Sequence, residues 1–461
     1  MRRVLALLVT ALLFTAGPGL RAADAPTALA ATATTTRLAV PYTQFTLPNG
    51  LEVILHEDHR VPMVATNIWY HVGSDRELPG KTGFAHLFEH LMFMGSGHVK
   101  LGEFDDLLES AGGDNNASTS DDRTNYWITV PSNALSLALY LEADRMGYLL
   151  DAMSPKTVDA QRDVVKNERR QSYENRPYGV AELELPALLY PPDYPYHWPT
   201  IGNMADLSAA SYDDVVAFFR KYYSPDNASL VVAGDIDPVK TRQLVEHWFA
   251  TIPRGANVPP LAPPAAELTS VVSKTVTDRV ELPRLYLAWL TPPLLQPGDA
   301  ALDVAASILA DGKNSRLYKR LVYDLQIAQN VTAFQQSQAL SSSFDIIVTP
   351  RPGHTLDEVK KIVDEELQKL REAPPTEHEV QRAVNQFEAS FYNSMERVGG
   401  FSGIADQLNS YYTETGDPDY FNEDLARYRA LDPSDIQAAV RRWLPADRRV
   451  ELSVVPAKTK P

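Results

Sequence analysis

The chain has 461 residues, 44% of them hydrophobic and 22% charged, which is enough apolar material for a sizeable core and too little polarity for a disordered tail. Its formal net charge of −16 leaves no basic surface of the kind a nucleic-acid backbone requires, so no nucleic-acid partner is expected. With no cysteine, disulfides, thiolate nucleophiles and Cys-ligated zinc are excluded, and any metal must rest on histidine and carboxylate. At the start of the chain, Arg2 and Arg3 precede an apolar run, Val4 to Ala16, whose 13 residues fall short of a membrane span; a permanent helix needs roughly 20. The run reads as a secretory signal peptide over residues 1–25, with Ala23-Asp24-Ala25 as the small-x-small cleavage pattern. An uncleaved anchor is the rival reading, opposed by that length. No later segment has transmembrane character, so export to the periplasm or beyond without stable membrane insertion is the expectation.

An Ala/Thr-rich leader (26–40) follows. Gln44 to Leu47 and Leu51 to Leu55 alternate around Pro48-Asn49-Gly50, a hairpin signal. In Gly83-Phe84-Ala85-His86-Leu87-Phe88-Glu89-His90-Leu91-Met92-Phe93 the helical period sets His86 and His90 one turn apart on one face, with Glu89 beside them. Two such imidazoles can reach one metal ion. Two histidines on a partly buried helix also occur without any metal, but here they interrupt an otherwise apolar helix, where unpaired polar groups are costly to bury. A zinc hydrolase needs a third protein ligand and an open position. Glu168, on a second expected helix (Lys156 to Glu174), would complete a His₂Glu set and leave Glu89 free as general base. Leu135 to Leu150 and Tyr212 to Tyr223 also have helical spacing, and Ala228 to Ala233 reads as a buried strand ending at Gly234.

Val258 to Pro264 is proline-rich and suits a stiff linker. Beyond it the plan recurs. Gln161-Arg162-Asp163-Val164 followed by Glu168 matches Gln381-Arg382-Ala383-Val384 followed by Glu388, an offset of 220 residues. Asp214 to Tyr222 lines up with Asp435 to Trp443 at an offset of 221. Two matches at nearly one offset imply a duplicated α+β domain of about 200 residues.

These motifs resemble the pitrilysin/insulinase (M16) peptidases, inverted zincins with an H-x-x-E-H signature, and among them the bacterial two-domain subunits. The likeness covers most of the chain after the signal. His86, Glu89 and His90 match the signature, and Glu168 follows after 77 intervening residues, close to the family's gap. The resemblance implies one zinc ion on His86, His90 and Glu168, with Glu89 as catalytic base. Gly112-Gly113, Asn116-Ala117 and Thr119 look like the family's edge strand beside the metal. Asn116 and Ala117 would then contact the scissile region of a peptide added as an extra strand; without the resemblance, 112–124 would read as a polar surface loop. The implied architecture is two tandem homologous domains, mixed sheets with helices packed on them, forming half of a clamshell. A catalytic domain would span 41–255, a linker 256–270 and an inactive copy 271–461.

Departures from the family pattern carry information too. The acidic residue expected seven positions before the third ligand is Gln161, which can hydrogen-bond in the outer shell but adds no charge. The second copy has no H-x-x-E-H, and Glu388 has no histidine partners, so no second zinc is expected there. The arginine and tyrosine that the family's non-catalytic half supplies are replaced by Val322 and Gln329. Arg316 and Tyr318 have the wrong spacing and read as surface and packing residues. A homologous inactive subunit would then provide the pair in a heterodimer, a homodimer being the alternative. His56-Glu57-Asp58-His59 reads as solvated charge near a turn. The expected function is a zinc metalloendopeptidase acting on short or unfolded peptides in an enclosed chamber. A non-catalytic scaffold or assembly subunit of the same family, and a zinc hydrolase of a non-peptide bond, are the competing readings.

Overall fold

The computed structural model describes residues 37–457; the expected signal peptide and most of the leader lie outside them. The body from Ala39 onward is built on two mixed sheets. The first contains β1 (Thr43–Thr46), β2 (Glu52–Glu57), β3 (Met63–Tyr70), β4 (Asp114–Thr119), β5 (Thr124–Pro131) and β6 (Ala228–Gly234), in the order β1-β2-β6-β3-β5-β4. The second contains β7 (Val272–Asp278), β8 (Arg284–Thr291), β9 (Ala328–Gln336), β10 (Ser342–Pro350) and β11 (Val450–Pro456), in the order β7-β11-β8-β10-β9. β2 runs parallel to β6, as β7 does to β11, and the remaining pairs are antiparallel. Without β1, the two orders correspond strand for strand, so the duplication read from helix spacing extends to the sheets. This is the α+β pair of homologous domains that makes half of a clamshell.

Alternation along the central strands assigns each sheet two packed faces. On β3, Val64, Ile68 and Tyr70 enter one core with the helices of the first half. On β8, Leu285, Leu287 and Trp289 enter the equivalent core of the second half. The opposite faces are covered by an exchange. The helix Val180–Leu189 packs across β8 and β11, where Ala181 and Leu189 join Tyr286, Ala288 and Leu452. In return the helix Ile404–Thr415 lies on β3 and β6.

Polar side chains fix this second contact. Asp406 Oδ1 accepts from Trp69 Nε1 (3.0 Å), Asn67 Nδ2 (3.2 Å) and Asn125 Nδ2 (3.2 Å). Asn409 Nδ2 donates to Asn67 O (3.1 Å) and Ser229 O (3.2 Å). A second seam holds the turn after β4: Tyr196 OH donates to Asp122 and accepts from Leu340 N (2.9 Å), while Gln338 donates to Asp121. Each half is thus incomplete without the other, and the turn that follows β4, an edge strand of the first sheet, is held by residues of the second half. Among the described residues no helix is long and apolar enough to cross a membrane.

Candidate metal and active site

The helix Phe84–Leu91 carries the H-x-x-E-H residues. Phe84, Leu87, Phe88 and Leu91 are buried, and this apolar stripe leaves His86, Glu89 and His90 on the partly buried side. Its first turn is set by two residues whose role the sequence did not signal. Gly83 has φ +88°, and a side chain there would press on Leu207 and on the backbone of Gly202. Glu77, fully buried, accepts from Gly83 N through Oε2 and from Ala85 N through Oε1, both at 2.8 Å. It satisfies two of the amides that a helix start leaves open, and burial pushes its carboxyl upward from the ordinary range. Glu77→Ala would orphan both amides beneath the site. The expected loss is about 2–3 kcal/mol, read as a lower urea midpoint.

Glu168 comes from the helix Pro155–Arg169, started by Ser154 accepting from Thr157 N and by Pro155 at the first turn. The chain then passes into a π-turn over Arg170–Glu174. The carboxylate reaches across so that Glu168 Oε2 lies 3.2 Å from His90 Nε2 and 3.7 Å from His86 Nε2. The two imidazole rings stand 4.9 Å apart at 73°. Burial pushes the His86 imidazole below its ordinary range, favouring the neutral form a metal requires. The hydrogen bond from His90 holds Glu168 lower than usual.

These donors fit a divalent ion. A tetrahedral zinc with ligand bonds of about 2.0–2.1 Å separates neighbouring donor atoms by roughly 3.3 Å, close to the two separations observed. One ligand atom from each of His86, His90 and Glu168 lies within 4.8 Å of the others, and among the described residues this is the one histidine–carboxylate group of that kind. His86 Nδ1 is buried without a hydrogen-bond partner, so the ring's polar interactions all run through Nε2.

Glu89 sits beside the triad, and its Oε2 accepts from Thr119 Oγ1 at 2.6 Å. Thr119 ends β4, which pairs with β5 on one side alone, so the other edge is open to an added strand. On β4, Asn116 is exposed and Ala117 is buried. Gln161, one helix with Glu168, donates its amide to Met94 Sδ at 2.7 Å.

The other sequence candidates lie elsewhere. His59 is exposed between Glu57 (2.7 Å) and Asp235 (2.6 Å), and Asp58 pairs with Arg60, but His56 is not solvated as expected: it is buried on β2 with Nδ1 2.8 Å from Pro41 O. Glu388 is paired with Arg429 at 2.7 Å. Arg316 is held in a two-pronged pair with Glu379 (2.7 and 2.8 Å), and Tyr318 packs against the second core. Gln329 is exposed on β9. Away from these candidates, Tyr190, Tyr194 and Tyr196 pack with Tyr286 on the second sheet, and Tyr190, Tyr196 and Trp198 line a cavity of about 430 Å³ together with Tyr286 and Asp345.

Residues 52–190 match the model of the insulinase family (peptidase family M16), and residues 209–387 match the peptidase M16 inactive domain. The chain is 31% identical over 373 residues to the zinc protease PqqE of Helicobacter pylori, covering 79% of this chain and 82% of that one. The crystal structure of a protease from Helicobacter pylori superposes with a TM-score of 0.84 at 26% identity, covering 90% of this chain and all of that one. The periplasmic protease PqqL from Escherichia coli shares the fold, with a TM-score of 0.75 at 18% identity, over 92% of this chain but 48% of its own. The chain belongs to the insulinase (M16) family of peptidases, with an M16 domain followed by a domain of the inactive type.

Proposed function

We propose that the chain is a zinc-dependent endopeptidase for short or unfolded peptides. The observation that carries this reading is the convergence of His86, His90 and Glu168, with Glu89 alongside. His86, His90 and Glu168 would hold one zinc ion, which when bound supplies a Lewis acid that polarises the scissile carbonyl. Glu89 has one oxygen occupied by Thr119 and the other available to take a proton from the attacking water and return it to the leaving amine. The open edge of β4 would hold the peptide extended, with Asn116 and Ala117 nearest the bond to be cut. A complete donor set favours this over the scaffold reading.

An enclosed chamber calls for a second half. PqqL is about twice the length matched by this chain, which supports pairing with a homologous chain. Val322 and Gln329 stand where the family resemblance expects the arginine and tyrosine, so the partner is proposed to be an inactive subunit supplying both. PqqL is described as periplasmic, and the export signal read in the first 25 residues supports that compartment here.

The test is a quenched peptide library, offered to the wild-type protein and to Glu89→Gln with any co-purifying chain retained. Wild type is expected to cleave it. The variant should keep its zinc and lose about 10²- to 10⁴-fold in rate. Undiminished cleavage by Glu89→Gln would remove the assigned base.

A further inference from the structure

We infer that Thr119 is the positioning residue of the catalytic base, and that the strand presenting the substrate edge is also the element that aims Glu89. This rests on the peptidase reading above. A carboxylate on a helix can rotate about its terminal bonds, and a base is useful only when one oxygen faces the water it must deprotonate. The Thr119 hydroxyl donates to Glu89 Oε2 at 2.6 Å, which fixes the plane of the carboxylate and leaves Oε1 as the free oxygen.

Thr119 can do this because β4 is held from both faces. Alternation turns Asn115, Ala117 and Thr119 to one side, and Ala117 enters the core beneath the H-x-x-E-H helix. Ser118 turns the other way. There Arg123 Nη1 donates to Ser118 O (2.8 Å) and to Ser118 Oγ (2.9 Å). The Arg123 guanidinium lies 5.1 Å from the centre of the Trp69 ring, and Trp69 Nε1 is bound to Asp406 of the exchanged helix. The turn that follows is closed by Ser120 N donating to Arg123 O at 2.9 Å. A contact between the second half and the base therefore runs through Asp406, Trp69, Arg123 and Ser118 to Thr119.

The experiment compares Thr119→Val, Thr119→Ser and Thr119→Ala with wild type and Glu89→Gln. It uses the zinc-loaded full chain with any co-purifying chain, one fluorogenic peptide and a zinc determination on every sample. Loss of the hydroxyl should lower kcat by about 10- to 100-fold. KM should stay within about twofold and zinc content should not change, because the substitution alters a side chain turned toward Glu89 and leaves the backbone edge of β4 and the three proposed ligands in place. Thr119→Ser should recover most of the lost kcat. The serine and alanine variants differ by one hydroxyl and carry the comparison should valine disturb the strand. Unchanged kcat in the valine and alanine variants overturns the inference. So does a serine variant as poor as alanine, or a rise in KM that accounts for the whole loss, either of which marks a structural role only. A Glu89→Gln protein as active as wild type would overturn the peptidase reading itself, which is a separate outcome.

Discussion

Replacing Glu168 with alanine is expected to yield a folded chain that no longer retains zinc and no longer cleaves peptides. Two imidazoles one helical turn apart make a weak site alone; the carboxylate supplies the third donor and the negative charge that opposes the ion. Losing a group that merely hydrogen-bonds to a zinc ligand already costs about 10- to 100-fold in affinity, so removal of a ligand itself should exceed 100-fold. The fold should survive. Glu168 is partly exposed near the end of its helix, and the helix is anchored instead by the buried Val158 and Val165. Glu168→Asp, one methylene short, should fall between wild type and alanine. Dialysis against graded chelator, with zinc measured by atomic emission and helix content by circular dichroism, reads both effects. Full zinc occupancy in the alanine variant would show that the ion is held elsewhere.

How far this site was legible in the sequence depends on the range of the interaction. His86, Glu89 and His90 lie within one turn of an apolar helix, where local periodicity fixes their common face. Glu168 needed the family spacing, since nothing local ties one helix to another 77 residues away. The hairpin around Asn49-Gly50, the buried strand at 228–234 and the repeated helices follow from alternation and helical spacing, and the structure has them there. The exchanged helices were not legible. Val180–Leu189 and Ile404–Thr415 have the composition of helices that cover their own half, and only the three-dimensional chain path sends each to the other sheet. The partners of Glu89 and of the helix start were hidden for another reason. Thr119 is legible in sequence as part of the edge strand but not as the partner of Glu89, and Glu77 is an unremarkable polar residue there; the role of each arises from hydrogen bonds made after the sheet has formed. Asp406 and Asn409 could have been suspected: two polar side chains one turn apart on a helix want partners when that face is covered.

Arg145→Ala should be among the most destabilising single changes in the first half, by about 3–5 kcal/mol. Arg145 is buried, and its Nε and Nη2 donate to the buried Glu142 at 2.8 and 2.5 Å. Its guanidinium is also enclosed by rings, 4.3 Å from the centre of Tyr126, 5.1 Å from Phe104 and 5.2 Å from Phe93. Alanine would leave the Glu142 carboxylate buried and unpaired and would empty the space between three aromatic side chains. The pair itself is not the source of stability, because desolvating both charges offsets most of their attraction. Glu142→Leu combined with Arg145→Met should therefore recover much of the loss, the methionine packing among the rings. Urea unfolding of wild type, Glu142→Leu, Arg145→Met and their combination measures this as a cycle, with Arg145→Ala alongside. A single Arg145→Ala within about 1 kcal/mol of wild type, or a double variant no better than the single, would contradict it. The site should register the change as well. Tyr126 OH donates to Phe88 O at 3.1 Å, midway between His86 and His90, so the ring that Arg145 packs against also steadies the helix that carries both histidines. Zinc affinity should accordingly fall in Arg145→Ala and return in the double variant, since the helix depends on the packing beneath it rather than on the buried charge.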